Sequence, residues 1–197
     1  MELLSNTNPI DIIIGPMFSG KTTELVRRLT ICAQAGLKVL VLNSSLDSRS
    51  AEVLSCHSNE KITFTSSLIT SKKVQNLFEV VDLVENFNVI GIDEAQFFTD
   101  LIPFTLFCSE EKFQKKVIIC GLNGDFERKS FGDILNLIPL CDNITKLSSF
   151  CQKCSLHRKV IVPALFSKRI DSDEKKTIVI GNNHQYIPVC RKCYAYD

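Results

Sequence analysis

Glycine and proline are scarce, 8 and 6 among 197 residues, and there is no internal repeat or low-complexity tract. Each glycine therefore calls for a local reason. Neither sign of charge is in excess: 23 basic and 22 acidic residues leave a net charge of +1. That balance argues against a chain built to coat nucleic acid, so no nucleic-acid partner is expected. No apolar run approaches the roughly 18 residues of a membrane span, so no membrane partner is expected either. The opening Met1-Glu2-Leu3-Leu4 has no basic stretch or long apolar core. It does not read as a secretion signal, and the expected location is the cytoplasm. With 45% hydrophobic and 23% charged residues, the composition is that of a globular chain. The length suits one full domain plus a small appendage.

Nine cysteines are many for such a chain, and an odd number makes a poor disulfide framework. Four fall into two CxxC pairs, Cys151/Cys154 and Cys190/Cys193. Cys32, Cys56, Cys108, Cys120 and Cys141 are scattered, mostly beside apolar residues, and read as small core hydrophobes. Charge divides at the first pair. Residues 1–150 carry 14 basic and 18 acidic residues, whereas 151–197 carry 9 and 4. The expected organisation is a main domain over 1–149 and a small second one over 150–197.

The main domain alternates strand and helix patterns. Ile10–Ile14, Lys38–Leu42, Val89–Ile92 and Val117–Cys120 read as buried strands, being short, apolar and β-branched. Lys21–Ala35 has a helical stripe at Leu25, Leu29 and Cys32, and Gly36 is placed to end it in the left-handed conformation. Lys72–Glu85 reads as a helix through Val74, Leu77, Phe78, Val81 and Val84, and Leu101–Lys112 as another. This order predicts an α/β fold with a parallel sheet, whose ligands collect at the C-terminal strand ends. In the tail, Val160–Val162 and Thr177–Ile180 read as short strands of a loop and hairpin.

Three motifs carry chemistry. Gly15-Pro16-Met17-Phe18-Ser19-Gly20-Lys21-Thr22 fits the phosphate-loop pattern GxxxxGK[ST] without a mismatch, between a strand and a helix. Its backbone N–H groups can cradle a phosphate, Lys21 can bridge the β- and γ-phosphates, and Thr22 can hold Mg²⁺. Next, the strand Val89–Ile92 ends in Asp93 and Glu94. The first carboxylate suits Mg²⁺. The second points to the other side of the strand and is free to act as a base. This pair leaves the acceptor open: water would make an ATPase, an alcohol a kinase. Finally, the two CxxC pairs have zinc-knuckle spacing, and four thiolates suit a closed structural Zn²⁺ site holding the 35 residues between them. Redox dithiols or free core cysteines are the plainer reading. None of His57, His157 and His184 is expected to be catalytic.

Together these features resemble the type II thymidine kinases, the cellular and large-DNA-virus family. The resemblance runs from about Ile12 to Tyr194, in the order GPMFSGKTTEL, Asp47-Ser48-Arg49, GIDEAQFF, GLNGDFERKSFG, then the cysteine pairs enclosing VIGNNHQY. It implies a RecA-like phosphate-loop domain and a C-terminal zinc-anchored lasso over the nucleoside. It implies ATP-dependent phosphorylation of the thymidine 5′-hydroxyl, with deoxyuridine as a second acceptor, in nucleotide salvage for DNA synthesis. Glu94 would be the general base. Residues 15–22 with Asp47, Ser48, Arg49, Asp93 and Gln96 would handle ATP and Mg²⁺. Met17, Phe97, Leu122, Phe126 and Phe131 would line the base pocket with Ser167. Backbone groups of Thr177, Ile178, Val179, Ile180 and Gly181 would read the base edge, and Tyr186 would close over the sugar and base. A homotetramer and feedback by dTTP are also implied. Asn123, Ser130, Ser167 and Ser50 stand where the family commonly has Asp, Pro, Thr and an aromatic residue. The long regulatory tail of the animal members has no counterpart in the sequence. Competing readings are a deoxycytidine kinase, a nucleic-acid-dependent ATPase using the basic tail, and a zinc-held interaction module. Intact Lys21, Thr22, Asp93 and Glu94 argue against the last.

Overall fold

The computed structural model describes residues 9–47, 66–111, 113–170 and 185–196. Six parallel strands form the central sheet: β1 (Ile10–Gly15), β2 (Val39–Ser44), β3 (Ile69–Val74), β4 (Val89–Ile92), β5 (Lys116–Leu122) and β6 (Asn143–Lys146). Their order is β3-β2-β4-β5-β1-β6, and each neighbouring pair is parallel.

The central strands are mostly apolar because both faces are covered. Ile12 and Ile14 of β1 and Leu40 and Leu42 of β2 face one core, with Phe98, Leu101 and Phe104. Ile13, Val39, Val41 and Ile118 face the other, beneath Leu25 and Leu29 of helix α1 (Lys21–Gln34). The alternation is the two-residue period of a strand. Gly36 ends the helix region with φ +84°, as its position in the sequence predicts. Gly91 has a packing reason: a Cβ there would come 2.5 Å from Cδ1 of Leu29.

Several boundaries differ from the sequence reading. Lys72–Val74 belong to β3, not to a helix. Val74 lies in the same core as Leu77, Val80 and Val84, which disguised the strand end as the first turn of a helix. The helical part is a short 3₁₀ turn (Leu77–Val80) followed by α2 (Val81–Val84). Glu79 opens it by accepting from the Asn76 N–H at 2.8 Å. Helix α3 (Leu101–Leu106) widens into a π-helical turn over Phe107–Glu111.

The C-terminal part has its own small core of Cys151, Cys154, Ala164, Ile187, Val189 and Cys190. Its elements are β7 (Ser149–Phe150), α4 (Gln152–Arg158), β8 (Pro163–Ala164), β9 (Phe166–Arg169), β10 (Tyr186–Val189) and α5 (Arg191–Ala195). The strand expected at Val160–Val162 lies instead at Pro163–Ala164, paired with β7. Ile161 is exposed, so its β-branched character is not spent on a sheet. Strands β9 and β10 pair antiparallel at the base of the connecting segment. The strand expected at Thr177–Ile180 lies outside the described residues.

The Gly91–Leu29 contact yields a stability prediction. Gly91→Ala overpacks the core and lowers unfolding free energy by about 1–3 kcal/mol. Adding Leu29→Ala removes the clash, so the double variant is more stable than the two single losses predict. Urea denaturation of the four proteins in the cycle measures this; strict additivity would refute the contact.

Candidate active site

The parallel order brings the C-terminal ends of β1, β2, β4 and β5 to one edge of the sheet, and the candidate residues sit there. Strand β1 runs into the loop Pro16–Gly20 and then α1. Gly20 takes φ +78° immediately before Lys21, a conformation in which glycine is unstrained. Ser19 Oγ donates to the Pro16 carbonyl at 2.8 Å, and Lys21 Nζ donates to the same oxygen at 2.9 Å. Phe18 also has a positive φ, 61°.

Asp93 is the hub of the site. It is 2% exposed. Its carboxylate accepts from Thr22 Oγ1 at 3.2 Å and from the Glu94 N–H at 3.0 Å. Cys120 Sγ donates to it at 2.8 Å. Burial, then the adjacent Asp93 charge, pushes the Cys120 thiol well above its ordinary range, so it stays protonated and remains a donor. A hydroxyl and a hard carboxylate oxygen side by side at the end of a phosphate loop fit a Mg²⁺ site.

Glu94 turns the chain with φ +50°, a conformation that only the surrounding structure can hold in a non-glycine residue. Its carboxylate accepts from Gln96 Nε2 at 2.5 Å. The other end of that amide accepts from the Leu122 N–H at 3.0 Å. Gln96 thus ties Glu94 to the end of β5. The tie leaves no room at Gly121, where a Cβ would meet Gln96 Oε1 at 2.7 Å. At Gly132, with φ +60°, a Cβ would overlap the Gln96 carbonyl oxygen.

Asp47, also 2% exposed, follows β2. Asn43 Nδ2 donates to its carboxylate at 3.3 Å, and Lys73 Nζ donates to its carbonyl at 2.8 Å. Ser48 and Arg49 lie outside the described residues, as do Thr177, Ile178, Val179, Ile180, Gly181, His57 and His184.

The expected pocket residues fall into two groups. Phe97 and Phe131 meet edge to face with centroids 5.6 Å apart, and Leu122 ends β5. Phe126 faces Tyr186 at 6.4 Å. Ser167 is buried, and its Oγ accepts from the Met17 N–H at 2.9 Å. That bond joins β9 directly to the phosphate loop across 150 residues of sequence.

The four paired cysteines converge. Their Sγ atoms all lie within 4.8 Å of one another. Cys154 is 3.8 Å from Cys190 and 3.5 Å from Cys193. Tetrahedral zinc with bonds near 2.3 Å sets sulfurs about 3.8 Å apart, so the cluster fits Zn²⁺. Cys151 and Cys190 each stand immediately before a short helix. Burial opposes ionisation of Cys151, but N–H groups of Cys154 and Cys190 and the neighbouring thiols bring it down to about 7. Exposed His157 is in none of the metal-like clusters among the described residues.

Sequence reasoning missed three supporting features. Cys120 reads as a core hydrophobe, and it is buried, but its hydrogen bond to Asp93 depends on strand order. Asn43 under Asp47 and Gly132 against Gln96 had no signal beyond residue type.

Among known families, the thymidine kinase model matches residues 8–194. Thymidine kinase from sheeppox virus is 40% identical over 188 residues, covering 95% of this chain and 97% of that one. Thymidine kinase from vaccinia virus (strain Western Reserve) is 41% identical over 189 residues, covering 96% and 98%. Thymidine kinase from raccoon poxvirus is 40% identical over 192 residues, covering 98% and 99%.

The thiolate cluster carries a prediction. The purified protein holds about one zinc per chain, and Cys154→Ser loses most of it. Metal analysis checks this; full zinc content in the variant would refute the four-thiolate site.

Proposed function

The chain belongs to the thymidine kinase family, and we propose that it transfers the γ-phosphoryl group of ATP to the 5′-hydroxyl of thymidine. Deoxyuridine is the second acceptor on this reading, and the product serves DNA synthesis. The observation that carries the proposal is Glu94, held by Gln96 beside the Asp93–Thr22 pair at the mouth of the phosphate loop.

The roles follow from position. Residues 15–22 wrap the ATP phosphates with backbone N–H groups, and Lys21 leaves the Pro16 carbonyl to bridge them. Thr22 and Asp93 would hold Mg²⁺, which would supply charge neutralisation for the ATP phosphates. Glu94 accepts the proton of the 5′-hydroxyl as that oxygen attacks phosphorus. The Gln96 amide keeps the carboxylate aimed. Asp47 lies at the neighbouring strand end, and Ser48 and Arg49, next in the sequence, act with it on the transferred phosphoryl group. Flat apolar walls suit a pyrimidine ring: Phe97, Leu122 and Phe131 form one, and Phe126 with Tyr186 the other. Met17 and Ser167 form the floor between base and phosphates. Thr177–Gly181 read the base edge with backbone groups, and zinc on the four cysteines anchors that segment. The portion from residue 150 onward acts as the lid domain. Assembly as a homotetramer, feedback by dTTP and a cytoplasmic setting complete the proposal. Among the described residues no helix is long and apolar enough to cross a membrane.

Two measurements test it. Mg-ATP with thymidine, deoxyuridine, deoxycytidine and deoxyadenosine is expected to give thymidine monophosphate as the main product. ADP release without a nucleoside monophosphate would replace the kinase with an ATPase. Glu94→Gln is expected to bind ATP normally but to lose at least about 10²-fold in kcat. Near-normal turnover would remove Glu94 from the base role.

A further inference from the structure

We propose that Tyr194 is a positioning residue for the nucleoside pocket: it fixes the turn that carries Phe126 to the zinc-bound end of the chain. This rests on the thymidine kinase reading for what the pocket holds, but the contact itself does not.

Tyr194 follows Cys193 directly and lies on α5. Its hydroxyl donates to the Phe126 carbonyl at 2.7 Å, across 68 residues of sequence. The Arg128 guanidinium lies over the Tyr194 ring, 4.2 Å from its centroid. One side chain of the C-terminal module thus takes hold of two points on a turn of the main domain.

That turn is internally tight. Asp125 Oδ1 accepts from the N–H groups of Glu127 at 2.9 Å and Lys129 at 2.8 Å. The Asp125 N–H donates to the Lys129 carbonyl at 2.9 Å. Arg128 has φ +67°, which a non-glycine residue keeps only where its surroundings over-determine it. A turn this closed moves as one piece, so its anchor decides where Phe126 stands. Phe126 faces Tyr186 and lies under the Arg169 guanidinium at 5.4 Å. The Tyr194 side of the contact is fixed in turn. Its ring meets Phe166 at 5.4 Å, and Cys193 before it is one of the four clustered thiols. A chain of direct contacts therefore runs from the cysteine cluster through Tyr194 and Phe126 to Tyr186.

Tyr194→Phe in the full chain tests this, because it removes the hydroxyl and keeps the ring. Zinc content is expected to stay at the wild-type value. Amide exchange at Glu127 and Lys129 is expected to speed up at least about tenfold. The KM for thymidine is expected to rise roughly fivefold, while the KM for ATP and kcat stay within about twofold, the loss of one hydrogen bond read at one substrate only. Unchanged exchange, an unchanged thymidine KM, both KM values rising in step, or loss of zinc would each overturn the proposal. Arg128→Lys, at an exposed side chain, gives the same comparison if Tyr194→Phe does not fold. Wild-type protein that makes no thymidine monophosphate would refute the function proposed above. The exchange measurement would still decide whether Tyr194 anchors Phe126.

Discussion

The site depends on one constraint: every strand of the sheet must leave by the same edge. Parallel pairing with both faces buried allows no other arrangement, because each return passes over a face. The order β2-β4-β5-β1 then sets four strand exits side by side. They deliver Asp47, Asp93 with Glu94, Leu122, and the phosphate loop, which come from distant parts of the sequence. Gly91 serves the same constraint from beneath. It lets α1 lie close on β4, and α1 is the helix whose first residues are Lys21 and Thr22.

Convergence alone does not orient a carboxylate. Asp93 and Glu94 are adjacent, both buried, and of the same charge. The structure separates them by giving each its own donors. Thr22, Cys120 and the Glu94 N–H serve Asp93, while Gln96 serves Glu94. Hydrogen bonds to charged groups contribute about 1.5–3 kcal/mol each, and a missing one in a buried site costs more than a present one gains. Glu94 sits in a left-handed turn, and Gln96 holds its carboxylate. Gly121 and Gly132 are small because Gln96 must come that close.

Much of this was legible in the sequence, and the reason is physical. The phosphate loop is a local device, so its eight residues suffice to read it. Buried parallel strands are apolar runs, which made four of the six sheet strands legible: β1, β2, β4 and β5. Edge strands escaped for the converse reason. β3 shows Thr70, Ser71 and Lys72 to solvent, and β6 is mostly exposed, so neither carries a buried pattern. The hydrogen bond from Cys120 to Asp93 was illegible because it requires knowing that β5 lies beside β4. The Ser167 contact with Met17 was illegible because nothing local distinguishes that serine from its neighbours.

That last bond shows how the two halves of the molecule become one site. A hairpin closed by the cysteine cluster could stand anywhere on the parallel sheet's edge unless something fixes its place. Ser167 holds β9 to the phosphate loop at one point, and Tyr194 holds α5 to the Phe126 turn at another. Two anchors at separate points remove the rotation that one would leave. The Met17 N–H belongs to the loop of the phosphate-loop pattern, so an ordered β9 and an ordered loop favour each other.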